Sequence, residues 1–97
     1  MRCMFVCALR IELFLPACHS LKEKRGQIVP IIDGMRNRFH VAASETEFQD
    51  LWQRCAVGVA AVGSGVSHVE QVLDSCERFV WSFPEIEVTS TERFWLD

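Results

Sequence analysis

From Met4 to Leu15 the chain alternates: Phe5, Cys7, Leu9, Ile11, Leu13 and Leu15 fall on one side, Arg10 and Glu12 on the other. An extended backbone turns successive side chains to opposite faces, so this run predicts a half-buried strand, stopped by Pro16. A strand with one apolar face needs a second layer to lie against. The rest of the chain must supply it.

Ser20-Leu21-Lys22-Glu23 reads as a capping box, with Ser20 as N-cap and Glu23 three residues on. The helix that follows buries Leu21, Ile28, Ile32, Met35 and, at its end, Phe39. Pro30 inside it removes one backbone hydrogen bond aimed at Gly26, which predicts a kink but not a break. Gly34 weakens the same helix by about 1 kcal/mol relative to alanine. Phe39, Val41 and Ala43 give the inward face of a second strand, and Ala56 to Val62 a third, with the connection inside Glu45 to Gln53. Gly63-Ser64-Gly65 breaks the pattern. Ser67 and Glu70 then suggest a second capping box, opening a helix with Val69, Val72, Leu73, Cys76, Phe79, Val80 and Phe83 on one stripe. Pro84 ends it, and Ile86 to Trp95 is a last strand.

The order βαββαβ is the split βαβ, or ferredoxin-like, arrangement: an α+β fold with a four-stranded antiparallel sheet and both helices on one face. Ninety-seven residues make one such domain, 1–97, with no linker or repeat. The helix-free face carries small apolar residues, among them Met4, Val6, Ala8, Ala42, Ala56, Gly58, Ala60 and Val62. Such a patch marks a homo-oligomer interface, unless loops shield it as a solvated face.

The formal charge of −3 argues against a generally basic nucleic-acid binder. It hides an asymmetry. Residues 1–40 hold seven Lys/Arg and three Asp/Glu, residues 41–97 three and ten, so a basic first helix can sit on an acidic protein. Five cysteines without regular spacing suit a reducing compartment and core positions better than a disulfide framework. Arg10 and Glu12 interrupt what would be a leader core, and no stretch approaches the roughly 20 apolar residues of a membrane span. The expectation is a cytoplasmic protein with no membrane contact.

Leu9-Arg10-Ile11-Glu12-Leu13, Ser20-Leu21-Lys22-Glu23-Lys24-Arg25 and Gln49-Asp50-Leu51-Trp52-Gln53-Arg54, in this order and spacing, resemble the small bacterial YlxP-like family, a conserved domain of unknown function. The resemblance runs over nearly the whole chain. It implies a ferredoxin-like fold and no catalytic activity. The family's genes often lie beside those for translation initiation and small-subunit maturation, which implies a ribosome-linked role. Pro30, Gly34, Phe48 and Trp81 depart from the family's pattern, and the first two put the rigidity of the first helix in doubt.

Two segments are candidates for recognition. Ser20, Lys22, Lys24 and Arg25 place cations around a helix start, where unpaired N–H groups already favour an anion, and Arg36 and Arg38 extend the basic surface along the same helix. RNA phosphate, ribosomal RNA in particular, or an acidic segment of a translation factor is the matching partner; the plain alternative is a solvated, capped helix. In Gln49 to Arg54, Trp52 either plugs the end of the sheet, with Asp50 paired to Arg54, or the hairpin is a recognition element in which Trp52 or Gln53 reaches a partner. Glu45, Glu47 and Asp50 form a carboxylate group able to hold a cation, though edge carboxylates more often serve solubility. Trp81 lies on the polar side of its helix as a partner contact, or covered by a neighbouring chain.

Other uses of the fold fail on the residues they need. The third strand lacks the aromatics of an RNA-recognition sheet. No C-x-x-C follows the first strand, and no arginine lies between Pro16 and Lys22 to form an anion loop. Gly63-Ser64-Gly65 lacks the lysine of a P-loop. His19, His40 and His68 show no ligand spacing. The expectation is a non-enzymatic accessory protein without a cofactor or metal, binding RNA or a protein through the first helix. The alternative is a small-molecule-sensing regulatory domain with its ligand between subunits. A third option is a small enzyme using Cys18 or His19.

Overall fold

The computed structural model describes residues 3–96. Its elements are β1 (Phe5–Phe14), α1 (Leu21–Phe39), β2 (Ala42–Glu47), β3 (Arg54–Gly63), α2 (Val66–Trp81) and β4 (Glu87–Trp95). The sheet order is β2-β3-β1-β4, every neighbouring pair antiparallel. This is the α+β ferredoxin-like arrangement that the periodicities predict.

The alternation of β1 sets the layering. Cys7, Leu9, Ile11 and Leu13 pair in register with Ala61, Val59, Val57 and Cys55 of β3, and all eight are buried beneath the helices. From α1 come Ile28, Ile31, Ile32 and Met35; from α2 come Val69, Leu73, Cys76 and Val80. Ser20 caps α1 as expected, its hydroxyl accepting from the Glu23 N–H at 3.0 Å while the Glu23 carboxylate accepts from the His19 N–H at 2.8 Å. The helix runs unbroken through Pro30. It ends at His40, whose N–H still donates to the Arg36 carbonyl and whose left-handed φ of 55° turns the following chain out of the helix.

Several expectations change. The second capping box does not form: α2 starts at Val66 with Gly65 as N-cap and no side-chain cap, so Ser67 lies inside the helix. Phe39 ends α1 and does not belong to β2. Gly34 serves close helix packing: a Cβ there would run into the tip of the Phe79 ring. That ring is held edge-on by Phe39 and Phe83, with the Arg38 guanidinium 4.8 Å above it. Cys7, Cys18, Cys55 and Cys76 are buried free thiols, and Cys3 is exposed. Among the described residues, no helix is long and apolar enough to cross a membrane.

Candidate functional site

The β2–β3 connection is held from below by a buried cation. Lys24 is 1% exposed, and its ammonium lies 2.8 Å from Glu45 Oε2 and donates to the Phe48 carbonyl at 2.7 Å. Phe48 adopts φ 66°, a left-handed conformation unfavourable for an aromatic residue. The Lys24 bond, together with the Leu51 N–H donating to the same carbonyl at 3.0 Å, holds it there. Lys24 is therefore not available to an RNA or protein partner, which corrects its assignment to a surface patch.

From this anchor the hairpin reaches over the end of β1. The Leu15 N–H donates to the Gln53 carbonyl at 2.9 Å, and the Gln53 amide donates to the carbonyls of Cys18 and Pro16 at 3.2 and 3.3 Å. Arg54 stacks on the Phe48 ring at 3.8 Å and binds the Glu12 carboxylate. The expected Asp50–Arg54 pair is absent because Glu12, beside Arg54 across the sheet, captures the guanidinium. Arg10 completes the network, with Nε 2.9 Å from Glu47 and Nη1 3.5 Å from Glu12. Arg54 first, then Arg10, holds the Glu12 carboxyl below the usual carboxylate range despite some desolvation.

What results is a groove of about 870 Å³ with Phe14, Leu51 and Trp52 as its apolar lining and polar groups of Asp50, Gln53 and Arg54 beside them. Trp52 is 51% exposed. It is no plug of the sheet end but half of an open apolar wall. Of the hairpin candidates, Asp50, Trp52, Gln53 and Arg54 line this groove; Gln49 is exposed and outside its lining. Glu12, Leu13, Phe14, His19, Leu51 and Thr89 complete it. His19 figures in the sequence only as an enzyme option and Leu51 only within the Gln49–Arg54 segment, and Phe14 is not singled out there. Phe14 could have been: it is a large aromatic on the polar side of the β1 alternation.

The basic first helix is less available than its composition implies. Ser20 is used as a cap. Arg36 donates twice to the Ala43 carbonyl, at 3.0 and 2.6 Å, and lies 3.5 Å from Asp33, while Arg38 lies over Phe79. Lys22 and Arg25 are exposed, with no ion pair among the described residues. The carboxylate group is not a cation site either: Glu45 and Glu47 are paired with Lys24 and Arg10, and the described residues contain no cluster suited to a metal. Cys18 is fully buried beneath the connection, and burial first, then Glu23, pushes its thiol up, away from a reactive thiolate. Burial and the neighbouring Glu45 push Cys55 to about 12.

On the helix-free face, Met4 and Ala60 are exposed and Val6 and Ala8 half-buried, whereas Ala56 is fully buried. Glu12 and Glu47, its register partners, close over Ala56 with the arginines they bind, so it leaves the set of interface candidates. Trp81 is 62% exposed.

Comparison with known proteins gives a fold and a family. A de novo designed protein, Foldit4, superposes with a TM-score of 0.55 at 14% identity, covering 94% of this chain and 96% of that one, a likeness of fold alone. The uncharacterized protein YlxP of Bacillus subtilis (strain 168) is 45% identical over 76 residues, 78% of this chain and 83% of YlxP. The pattern of DUF503, described as a protein of unknown function, matches residues 6–93. The chain belongs to this YlxP-like family, DUF503.

Proposed function

We propose that the domain is a non-catalytic binding protein that takes a basic, apolar-anchored segment of a protein partner into the groove between Trp52 and Phe14. The observation that carries this reading is the exposed Trp52–Leu51–Phe14 wall on a connection fixed by the buried Lys24. Wall residues of this kind, a tryptophan and an arginine beside aliphatic neighbours, are those that dominate interface energetics. The charges left around the groove favour a cationic segment. Glu12 is neutralised by Arg10 and Arg54, while Asp50 on the rim and Glu87, cross-strand from Phe14, have no ion pair among the described residues. The surroundings that the family resemblance implies, translation initiation and small-subunit maturation, are where such a partner is sought first.

RNA binding through α1 has weaker support. With Lys24 buried and Arg36 and Arg38 engaged, Lys22 and Arg25 are the cations of that segment left to meet phosphate. Two phosphate contacts would lose only about tenfold in affinity between 50 and 200 mM salt, far short of a dedicated nucleic-acid interface. Small-molecule sensing keeps one favourable observation, since a groove of about 870 Å³ falls in the size range of ligand sites.

The test is a peptide array in which a large apolar residue is flanked by Lys/Arg, Asp/Glu or Ser/Gly, probed with wild type, Trp52→Ala and the Lys22→Glu/Arg25→Glu pair. Binding to the basic set, lost in Trp52→Ala and kept in the α1 variant, supports the reading. Array binding unchanged in Trp52→Ala overturns it, as does in-cell crosslinking to RNA that only the α1 variant abolishes. Thermal stabilisation by a metabolite, lost in Trp52→Ala, with no peptide bound, gives the groove to a small ligand instead.

A further inference from the structure

We infer that the helix-free face of the sheet binds a second copy of this chain, face to face about a two-fold axis parallel to the strands between β1 and β3. The inference rests on the registers, which lay the outward residues out in rows across β4, β1, β3 and β2.

The first full row is Phe94, Ala8, Ala60, Ala42; the next is Glu92, Arg10, Gly58, Ser44; the next is Ser90, Glu12, Ala56, Glu47. Ahead of them, Val6 pairs with Val62, and Leu96 joins this end through its N–H to the Val6 carbonyl at 2.9 Å. A two-fold along the strands keeps each row facing its own copy while exchanging β4 with β2 and β1 with β3. Phe94 then meets Ala42, Ala8 meets Ala60, and Val6 meets Val62. In the polar rows Glu92 meets Ser44 and Ser90 meets Glu47, while Arg10 meets the Thr46 side chain that lies over Gly58. Glu12, which with Glu47 already covers the buried Ala56, meets the surroundings of Ala56 and not Ala56 itself. The one large aromatic, Phe94, faces the small Ala42, and in the rows no charged residue is set against one of like sign. One sequence supplies both halves of this match, as an isologous interface requires.

Charge and area agree. Arg10, Arg54, Glu12 and Glu47 already neutralise one another within a chain, so the middle of the face carries little field against its copy. Three strands of nine or ten residues and the six-residue β2 cover on the order of 550 Å² in projection and more with side-chain relief, against about 800 Å² per partner in a standard stable interface. The apolar end supplies the driving force: Met4, Val62, Phe94 and Leu96 are 53–68% exposed.

Sedimentation velocity between 5 and 200 µM tests this on the whole chain. The expected result is a species of twice the 11.1 kDa chain mass. Ala60→Arg, which sets a long cation against Ala8 of the second copy, should weaken it about 100-fold, and Trp81→Arg on the helical side should not. Should Ala60→Arg fail to fold, Ala42→Cys/Phe94→Cys in a Cys3→Ser background decides. These positions lie three strands apart in one chain, so only the proposed pair can join them, as an oxidised, reducible dimer. A wild type that stays monomeric at 200 µM, a folded Ala60→Arg that still dimerises, or an Ala42→Cys/Phe94→Cys protein that yields no crosslinked dimer overturns the inference.

Discussion

Lys24 of the first helix donates to the Phe48 carbonyl, 24 residues on, from a fully buried position, and in doing so fixes a left-handed backbone at the tip of the β2–β3 connection. A lysine in the core is costly unless paired, and Glu45, also in the sheet's inner layer, pairs with it. Lys24→Met therefore removes a cation while leaving Glu45 partly buried. It should cost about 2–4 kcal/mol in a denaturant melt, and Lys24→Met/Glu45→Gln should recover part of that. If the connection depends on this bond, Lys24→Met should also raise amide exchange at Leu51.

Trp52 should behave as a recognition residue and not as core. Since it is half exposed, Trp52→Ala should change stability by less than about 1 kcal/mol, whereas a core tryptophan costs 3–5. Urea unfolding checks this. A loss in the core range would return Trp52 to the role of a plug.

Gly34→Ala sets helix propensity against packing. Propensity alone gains about 1 kcal/mol, but the new methyl meets a Phe79 ring that Phe39, Phe83 and Arg38 leave little room to move. The expected net is destabilisation by about 1–2 kcal/mol. Gly34→Ala/Phe79→Leu should lose less than the two single changes together.

The buried thiols fix the alkaline limit. Burial pushes Cys55 to about 12 and Cys76 to about 11, both from an ordinary value near 9. The native state thus keeps protons that the unfolded chain releases above pH 9. Stability is fully present below pH 9 and falls as pH rises toward 11, by up to about 1.4 kcal/mol per pH unit for each thiol. Urea melts at pH 8, 9 and 10 should show the slope, and Cys76→Ala should make it shallower. Alkylation of the native protein at pH 8 should modify Cys3 and spare the four buried cysteines.

Glu12 acts in the opposite direction. Arg54 and Arg10 lower its pKa in the folded state, so its contribution is present above the unfolded value and lost as pH falls through the lowered one. Glu12→Gln should flatten the acid side of the stability profile and free Arg54 from the sheet, which chemical shifts of the arginine Nε–H would report.

Element order and layering are legible in the chain alone, because periods of two and 3.6 are local and each apolar stripe has one way to be buried. The chain carried more than a surface reading of charge draws from it. Lys24 lies four residues before Ile28 and eleven before Met35, on the buried stripe, and Glu45 continues the inward alternation of Val41 and Ala43. Both periods mark these ions as inward-facing, but that they would meet depends on α1 crossing over β2. Tertiary structure alone decided the rest. Glu12, not Asp50, takes Arg54, because the β1–β3 register sets Glu12 diagonally across from it on the same face. Gly34 is a packing contact because Phe79, 45 residues away, comes against it. Trp52 stands in the open because the connection that carries it is anchored through Phe48 to Lys24 of a distant helix. Local sequence sets which face a side chain takes; which partner waits on that face depends on segments far apart in the chain.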